Sequence, residues 1–244
     1  MSVCMLSGTH INNMNLPTEN RREAIKEHME VLYQEIRDSG KEPLILPNGY
    51  LSFSQITLWL SGKESYRKRY YPDVAPKSYS TMEMDFGNKV TLAMENGEDW
   101  VDFIPHHEIF ERGILNNVNG VPVIAYIDNS TKFNRFREQK SGRTPWTAGK
   151  VAKHKQMDLY SVILELEDGF VEDECDLIWV KTVKEEVVVD KIEIMPGIFS
   201  EKTETQISLT GEYEIIKRTI TPEDRSIMKD LVYSVGKEIA EDYK

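Results

Sequence analysis

The 244 residues carry 41 acids against 30 Lys and Arg, a formal charge of −11 at pH 7, and 40% are apolar. That much apolar material fills the core of one large domain with an extension, while the acidic balance excludes a protein that coats nucleic acid without specificity, because phosphate neutralisation needs Lys and Arg in quantity. No apolar run nears the roughly 20 residues of a membrane helix, and the start, MSVCMLSGTHINNMN, lacks the basic-then-apolar order of a secretory signal, so a cytoplasmic location without membrane contact is expected. Cys4 and Cys175 stand far apart with no CxxC, which predicts free thiols and no four-thiolate cluster.

Residues 1–17 show no periodicity and read as a loose arm. From Thr18 as N-cap, Ile25, Met29, Leu32 and Ile36 recur at helical spacing until Gly40, giving an amphipathic packing helix; KEPLILPNGY then reads as a connector. In LSFSQITLWL, Ser52 or Ser54 caps a helix that holds Ile56, Trp59 and Leu60. Lys63, Arg67, Lys68 and Arg69 then interleave with Tyr66, Tyr70 and Tyr71, a mixture that suits a phosphate backbone with stacked bases and equally suits tyrosine core with wet hydroxyls.

A polar loop runs through Pro76, and residues 80–96 form a helix ended by Gly97, with Glu95 near its end. Strands are expected at 108–116, 121–128 and 133–139, joined into an antiparallel meander by turns at Asn119-Gly120 and Asn129-Ser130. A long helix at 147–166 follows, then β-branched runs at 175–183 and 185–194, a further strand in ISLTGEYEIIKRTI, and a closing helix. Thr221 and Asp224 make a capping box for that last helix, and Met228, Leu231, Val235 and Ile239 form its buried stripe. The middle of the chain therefore reads α-β-β-β-α-β, a mixed central sheet flanked by helices.

Chemistry concentrates between Val121 and Tyr160. From Lys132 to Lys155 there are eight Lys or Arg and one acid, Glu138, so this window is about +7 in an otherwise negative chain. Asp128 ends one strand and the next delivers Glu138, Gln139 and Lys140. Residues i and i+2 of a strand share a face, so Glu138 and Lys140 lie together while Gln139 points away and offers its carbonyl. Two carboxylates beside a lysine suit a hard divalent cation, a polarised water and phosphodiester hydrolysis. Gln156 and Tyr160, four apart, share one face of the following helix. His106 and His107 point to opposite faces of their strand and read as structural, and Trp146 reads as a packing residue at a helix start or as a lid over DNA.

Taken together and in this order, these residues resemble the PD-(D/E)XK nuclease superfamily, and above all its RecB-like and phage-type exonuclease branch. The resemblance covers about residues 50–183; LSFSQITLWL is similar to the branch's opening Ser-x-Ser helix, and FGNKVTLAMENG to its motif helix. It implies a restriction-endonuclease-like α/β fold of mixed α+β type, with residues 1–49 an extension carrying the amphipathic helix. Residues 50–244 would be the nuclease-like domain, its core at about 80–183 and its C-terminal strands and helix at 184–244. It implies metal-dependent hydrolysis of DNA, of the exonuclease kind used in phage or recombination processing, with Mg²⁺ or Mn²⁺. Asp128, Glu138 and the Gln139 carbonyl would hold the metal, Lys140 would be the catalytic lysine, and Gln156 and Tyr160 would position DNA or the active-site loop.

The motif helix of the branch usually carries a histidine four residues after its glycine; here Thr91 stands there, and the resemblance to phage-type exonucleases implies that Glu95, one turn on, would take the ligand role. Ser54, Ser141, Arg143, Lys150 and Lys153 are the expected DNA contacts. The branch's cysteine quartet is missing, so no iron–sulfur cluster is expected. DNA is the expected partner, with a homo-oligomer or a recombination protein as the protein partner. Thr91 motivates the competing expectation of a catalytically inactive DNA-binding or structural protein on the same fold, and a metal–carboxylate enzyme unrelated to DNA is a third.

Overall fold

The computed structural model describes residues 18–71, 81–195 and 198–244. The arm at 1–17, Cys4 and the loop around Pro76 lie outside them. The helices are α1 (Thr18–Asp38), α2 (Phe53–Ser61), α3 (Lys63–Tyr70), α4 (Met82–Asn96), α5 (Ala148–Val151), α6 (Lys155–Asp168) and α7 (Pro222–Asp242). The strands are β1 (Ile109–Val118), β2 (Val121–Ser130), β3 (Phe136–Gly142), β4 (Glu174–Met195) and β5 (Ile198–Thr219). They form one sheet in the order β1-β2-β3-β4-β5, antiparallel throughout except for the β3–β4 pair, which is parallel because α5 and α6 carry the chain across. This is the mixed α/β, helix-flanked arrangement of a restriction-endonuclease-like fold, with α4-β1-β2-β3-α6-β4 in the expected order. No helix among the described residues is long and apolar enough to cross a membrane.

The sheet separates two cores. Leu177 and Trp179 of β4 join the larger cluster with Met157, Tyr160 and Ile163 of α6, Val235 and Ile239 of α7, and Ile56 and Trp59 of α2. Their neighbours Ile178 and Val180 alternate to the other face and pack with Val90, Ala93 and Met94 of α4. Helix α1 sets Met29, Leu32 and Ile36 on Leu115 and Ile124 of the first hairpin.

Three expectations are corrected. The β1–β2 turn at Asn119 (φ 57°) and Gly120 (φ 94°) is as expected, both positions left-handed as a two-residue hairpin needs. The second turn is not at Asn129-Ser130. Those residues are buried in β2 and pair with Arg137 and Phe136, and the chain reverses at 131–135, where Asn134 (φ 59°) takes the left-handed position. Asn134 is held there because its amide reaches Asp168 at 2.8 Å and the Phe170 carbonyl at 3.0 Å.

The helix expected at 147–166 is broken at 152–154. Arg218 of β5 donates to the His154 carbonyl at 2.7 Å and ion-pairs with buried Asp158, which fixes where α6 begins. Finally, the runs at 175–183 and 185–194 are one 22-residue strand, antiparallel to an equally long β5, so the hairpin extends well past the sheet.

The basic, tyrosine-rich segment after α2 serves packing. Tyr66 is buried, in edge contact with Trp59, while Lys63 reaches Glu238 of α7 at 2.8 Å and Arg67 reaches Asp242 at 2.8 Å. Exposed ion pairs contribute about 0–1 kcal/mol each, whereas a buried aromatic ring contributes several, so the rings hold this corner and the charges set its register. Ser52, with Gln55, is the capping residue of α2.

Candidate active site

Strands β2 and β3 pair only at Asn129–Arg137 and Ser130–Phe136, and then part. Extending that register places Asp128 opposite Glu138. The ladder bond that would come next is replaced by a side chain: the Gln139 amide donates to Asp128 Oδ2 at 2.6 Å. The neighbouring strand is bent at the same level. Phe110 packs on the α4 side while Arg112, two residues on, reaches Asp168 of α6, although residues two apart in a regular strand share a face. The residue between them, Glu111, has φ 40°, a left-handed backbone that costs a side-chain-bearing residue about 1–3 kcal/mol. Asp128, lying across from Glu111, therefore faces into a fork in the sheet.

On the α6 side of that fork Glu138 is fully buried, its Oε1 ion-paired with the Lys140 ammonium and 3.6 Å from His154 Nε2. Lys140 Nζ also donates to Gln156 Oε1 at 3.3 Å, and Gln156 Nε2 donates to the Tyr160 hydroxyl at 2.6 Å. The i, i+4 spacing on α6 thus does what was expected of it. One amide bridges the lysine and the phenol, and the two bonds fix which end of the amide faces each.

The charges respond to their surroundings. Burial and the charge of Glu138 raise the Asp128 carboxyl well above its ordinary value, with Lys140 and the Gln139 amide opposing. Burial also pushes Glu138 upward, but Lys140 and His154 together outweigh it and the carboxyl ends below its usual range. Burial alone would lower Lys140; Glu138 and Asp128 reverse that and keep it an ammonium. The Tyr160 phenol is raised by burial and by both carboxylates, so it stays a neutral hydroxyl.

The donor types suit a hard cation: carboxylates of Asp128 and Glu138 meet at the fork, and Glu138 Oε2, though buried, has no hydrogen-bond partner. Glu95 does not stand with them. Helix α4 covers the opposite face of the sheet from Glu138, burial alone raises the Glu95 carboxyl, and among the described residues no three His, Cys, Asp or Glu side chains gather as a metal site. Thr91 turns its hydroxyl back to the Gly87 carbonyl of its own helix at 3.3 Å.

The basic window is smaller than its sequence count. Arg135 and Arg137 bind Asp176, Lys140 binds Glu138, and Lys155 binds Asp158. Lys132, Arg143, Lys150 and Lys153 are left exposed, the first over the Phe133 ring and Lys150 bonded to the Pro145 carbonyl. Arg143 and Ser141 follow directly on Lys140, and Ser141 lies against Gly87 of α4. Ser54 is exposed on the first turn of α2, its hydroxyl 3.0 Å from that of Ser52. Of the histidines, His106 stacks on Phe110 and burial lowers His107.

Two residues at the fork escaped the reading of the sequence. His154 lies two positions before Gln156, between the rings of Phe53 and Trp146. Glu111 acts on both Asp128 and Tyr160 through its charge. Counting outward from the Asn119-Gly120 turn places it opposite Asp128, a signal present in the sequence.

No family model and no curated protein matches the chain. Among solved structures, that of a candidate exonuclease from Eubacterium rectale superposes with a TM-score of 0.51, covering 95% of this chain and 88% of its own at 10% identity. The structure of SSO0001 covers 86% of this chain and 84% of its own at 12% identity, with a TM-score of 0.37. At these identities the first likeness shows the fold alone, and the second carries no weight.

Proposed function

We propose that this chain is a divalent-metal-dependent deoxyribonuclease of the PD-(D/E)XK type, in the RecB-like or phage-exonuclease manner. The observation that carries the reading is the fork itself: Asp128 opposite Glu138, with the lysine of Glu138-Gln139-Lys140 ion-paired to one of those carboxylates and fixed by an amide from α6. The name of the Eubacterium rectale neighbour, a candidate exonuclease, agrees with it.

Asp128, Glu138 and the Gln139 carbonyl would hold Mg²⁺ or Mn²⁺, which when bound supplies charge neutralisation at the scissile phosphate and a more acidic water. The remaining work falls to the chain. Lys140 presents a fixed positive charge where negative charge develops, in a partly buried site where that charge is screened less than in water. Gln156 holds the ammonium in place, and Tyr160, a neutral phenol, holds Gln156. Arg143, Lys150 and Lys153, the exposed cations of the basic window that follow the lysine in the chain, give DNA its path to the fork.

Hydrolysis of linear duplex and single-stranded DNA is to be measured with Mg²⁺, Mn²⁺ and EDTA. Wild type should degrade DNA only with a divalent cation, and Lys140→Ala should lose at least about 100-fold. If Lys140→Ala cuts as fast as wild type, or wild type cuts in EDTA, the reading fails. A second reading, an inactive DNA-binding member of the fold, draws on Thr91 and on Glu95, whose helix covers the other face of the sheet. Divalent-independent DNA binding without any hydrolysis would select it.

A further inference from the structure

Next to the fork lies a cleft of about 280 Å³, built from the chain that directly follows the lysine and from the extended hairpin. Ser141, Arg143, Thr144 and Trp146 line one side, Thr182 and Lys184 of β4 the other. Lys184 is bound to Glu83, on the first turn of α4, at 3.1 Å, and Glu83 lines the cleft as well. The Trp146 indole is half-buried and lies 4.9 Å from the His154 ring, whose Nε2 is 3.6 Å from Glu138. Two aromatic rings, Trp146 and His154, thus lead from this cleft to the carboxylate at the fork.

The lining chooses among ligands. Its one carboxylate, Glu83, is already tied to Lys184, which argues against a cation. Besides Trp146 its lining has one apolar side chain, Ile207, against three hydroxyls, a guanidinium and an ammonium, which argues against a lipid or an apolar peptide. A duplex is far too wide for it. An indole face beside a guanidinium, an ammonium and hydroxyls is instead the chemistry that holds an unpaired nucleotide, base stacked and phosphate ion-paired.

We propose that this cleft takes one unpaired nucleotide of the strand being cut, with its base on Trp146 and its phosphate between Arg143 and Lys184. The proposal rests on the hydrolytic reading of the fork and names its substrate as a frayed or single strand. The Glu83–Lys184 pair is then a competitor: Glu83 occupies the ammonium until a phosphate displaces it.

Binding of a fluorescein-labelled eight-nucleotide dT strand to the full chain in EDTA tests this, with a blunt DNA hairpin and a dT strand made abasic throughout as further probes. The wild type should prefer the dT strand to the hairpin by at least fivefold. Stacking on an aromatic side chain is worth about 1–3 kcal/mol per base, so Trp146→Ala should weaken the dT strand by about five- to a hundredfold and leave the hairpin within twofold. Trp146→Phe, which keeps the packing, should lose less than fivefold. Glu83→Gln should tighten the dT strand about two- to fivefold by releasing Lys184.

Equal affinity of wild type and Trp146→Ala for the dT strand overturns the proposal, as does equal affinity of wild type for the abasic strand. The two readings separate cleanly. Divalent-dependent hydrolysis with Trp146-independent binding sinks only the cleft, whereas Trp146-dependent binding with no hydrolysis sinks only the nuclease.

Discussion

Asp128→Asn should make the metal-free protein more stable at alkaline pH, and by an amount that the fork sets. Paired antiparallel residues have Cβ atoms about 5 Å apart, and because β2 and β3 part at this level the two carboxylates are taken as somewhat farther, about 6 Å, from each other. At an effective dielectric near 20 their repulsion is about 3 kcal/mol, and Lys140, acting on both, offsets roughly half. The variant should therefore gain about 1–2 kcal/mol, or about 2–8 °C in Tm for a chain of this size. Asn keeps a carbonyl oxygen to accept from the Gln139 amide, so that bond is not lost.

The pH dependence follows from the raised Asp128 carboxyl. The native state binds this proton more tightly than the unfolded chain, so the group's contribution is most favourable below the unfolded value of about 4 and declines as pH rises toward the folded one. The advantage of Asp128→Asn should be near zero at about pH 3, below the unfolded value, and full at about pH 8.5. Thermal melts in EDTA at the two pH values measure it. Manganese should then stabilise wild type at pH 8.5, by about 2.7 kcal/mol at a hundred times its Kd, and stabilise the variant far less. A variant less stable than wild type at pH 8.5, or a gap that ignores pH, refutes the reasoning.

Replacing Arg143, Lys150 and Lys153 together by Ala should reduce the slope of log affinity against log salt by about 2–3 for DNA, since each phosphate contact contributes roughly 0.7–0.9, and a titration at four salt concentrations reads it. Gly236→Ala places a Cβ 3.0 Å from both Val121 methyls and 3.4 Å from Leu44 Cδ1, an overpacking that should cost about 1–3 kcal/mol in urea denaturation. Tyr66→Ala should cost about 3–5 kcal/mol in the same assay while Arg67→Ala costs under about 1, and Arg67→Ala should leave DNA affinity unchanged because its guanidinium already serves Asp242.

Much of the fold was legible because it depends on local signals. Asn119-Gly120 demands a left-handed pair and gets one, Gly97 ends α4 in a left-handed cap, and the Thr221–Asp224 box begins α7. What escaped depends on partners distant in sequence. The break before α6 is set by Arg218, 64 residues from the carbonyl it binds, and the second hairpin turn by Asp168 and Phe170. The same rule governs the site. Glu138, Lys140, Gln156 and Tyr160 come together because strand and helix periodicity dictate it, whereas Glu95 was carried over from a motif, and the side of the sheet on which α4 would pack is not written in that helix.

The count of positive charge failed for a related reason. A run of Lys and Arg says how many cations a segment has, but Arg137 of β3 stands in register with Asp176 of the parallel neighbour and Arg135, just before β3, reaches the same carboxylate, so both are consumed rather than shown to solvent. The location of the fork is bound to this pattern. Arg137, tied to Asp176 on β4 and to the Pro105 carbonyl, anchors β3 to its parallel partner at the level where β2 turns away. Asp128 then has no ladder partner ahead of it and takes the Gln139 amide, while Glu111 on the far side of β2 adopts the left-handed backbone. A sheet that stayed paired there would present Asp128 and Glu138 as ordinary cross-strand neighbours with no space between them. It is the parting of β2 from β3, more than the identity of either acid, that sets two carboxylates and a lysine facing one another at the fork.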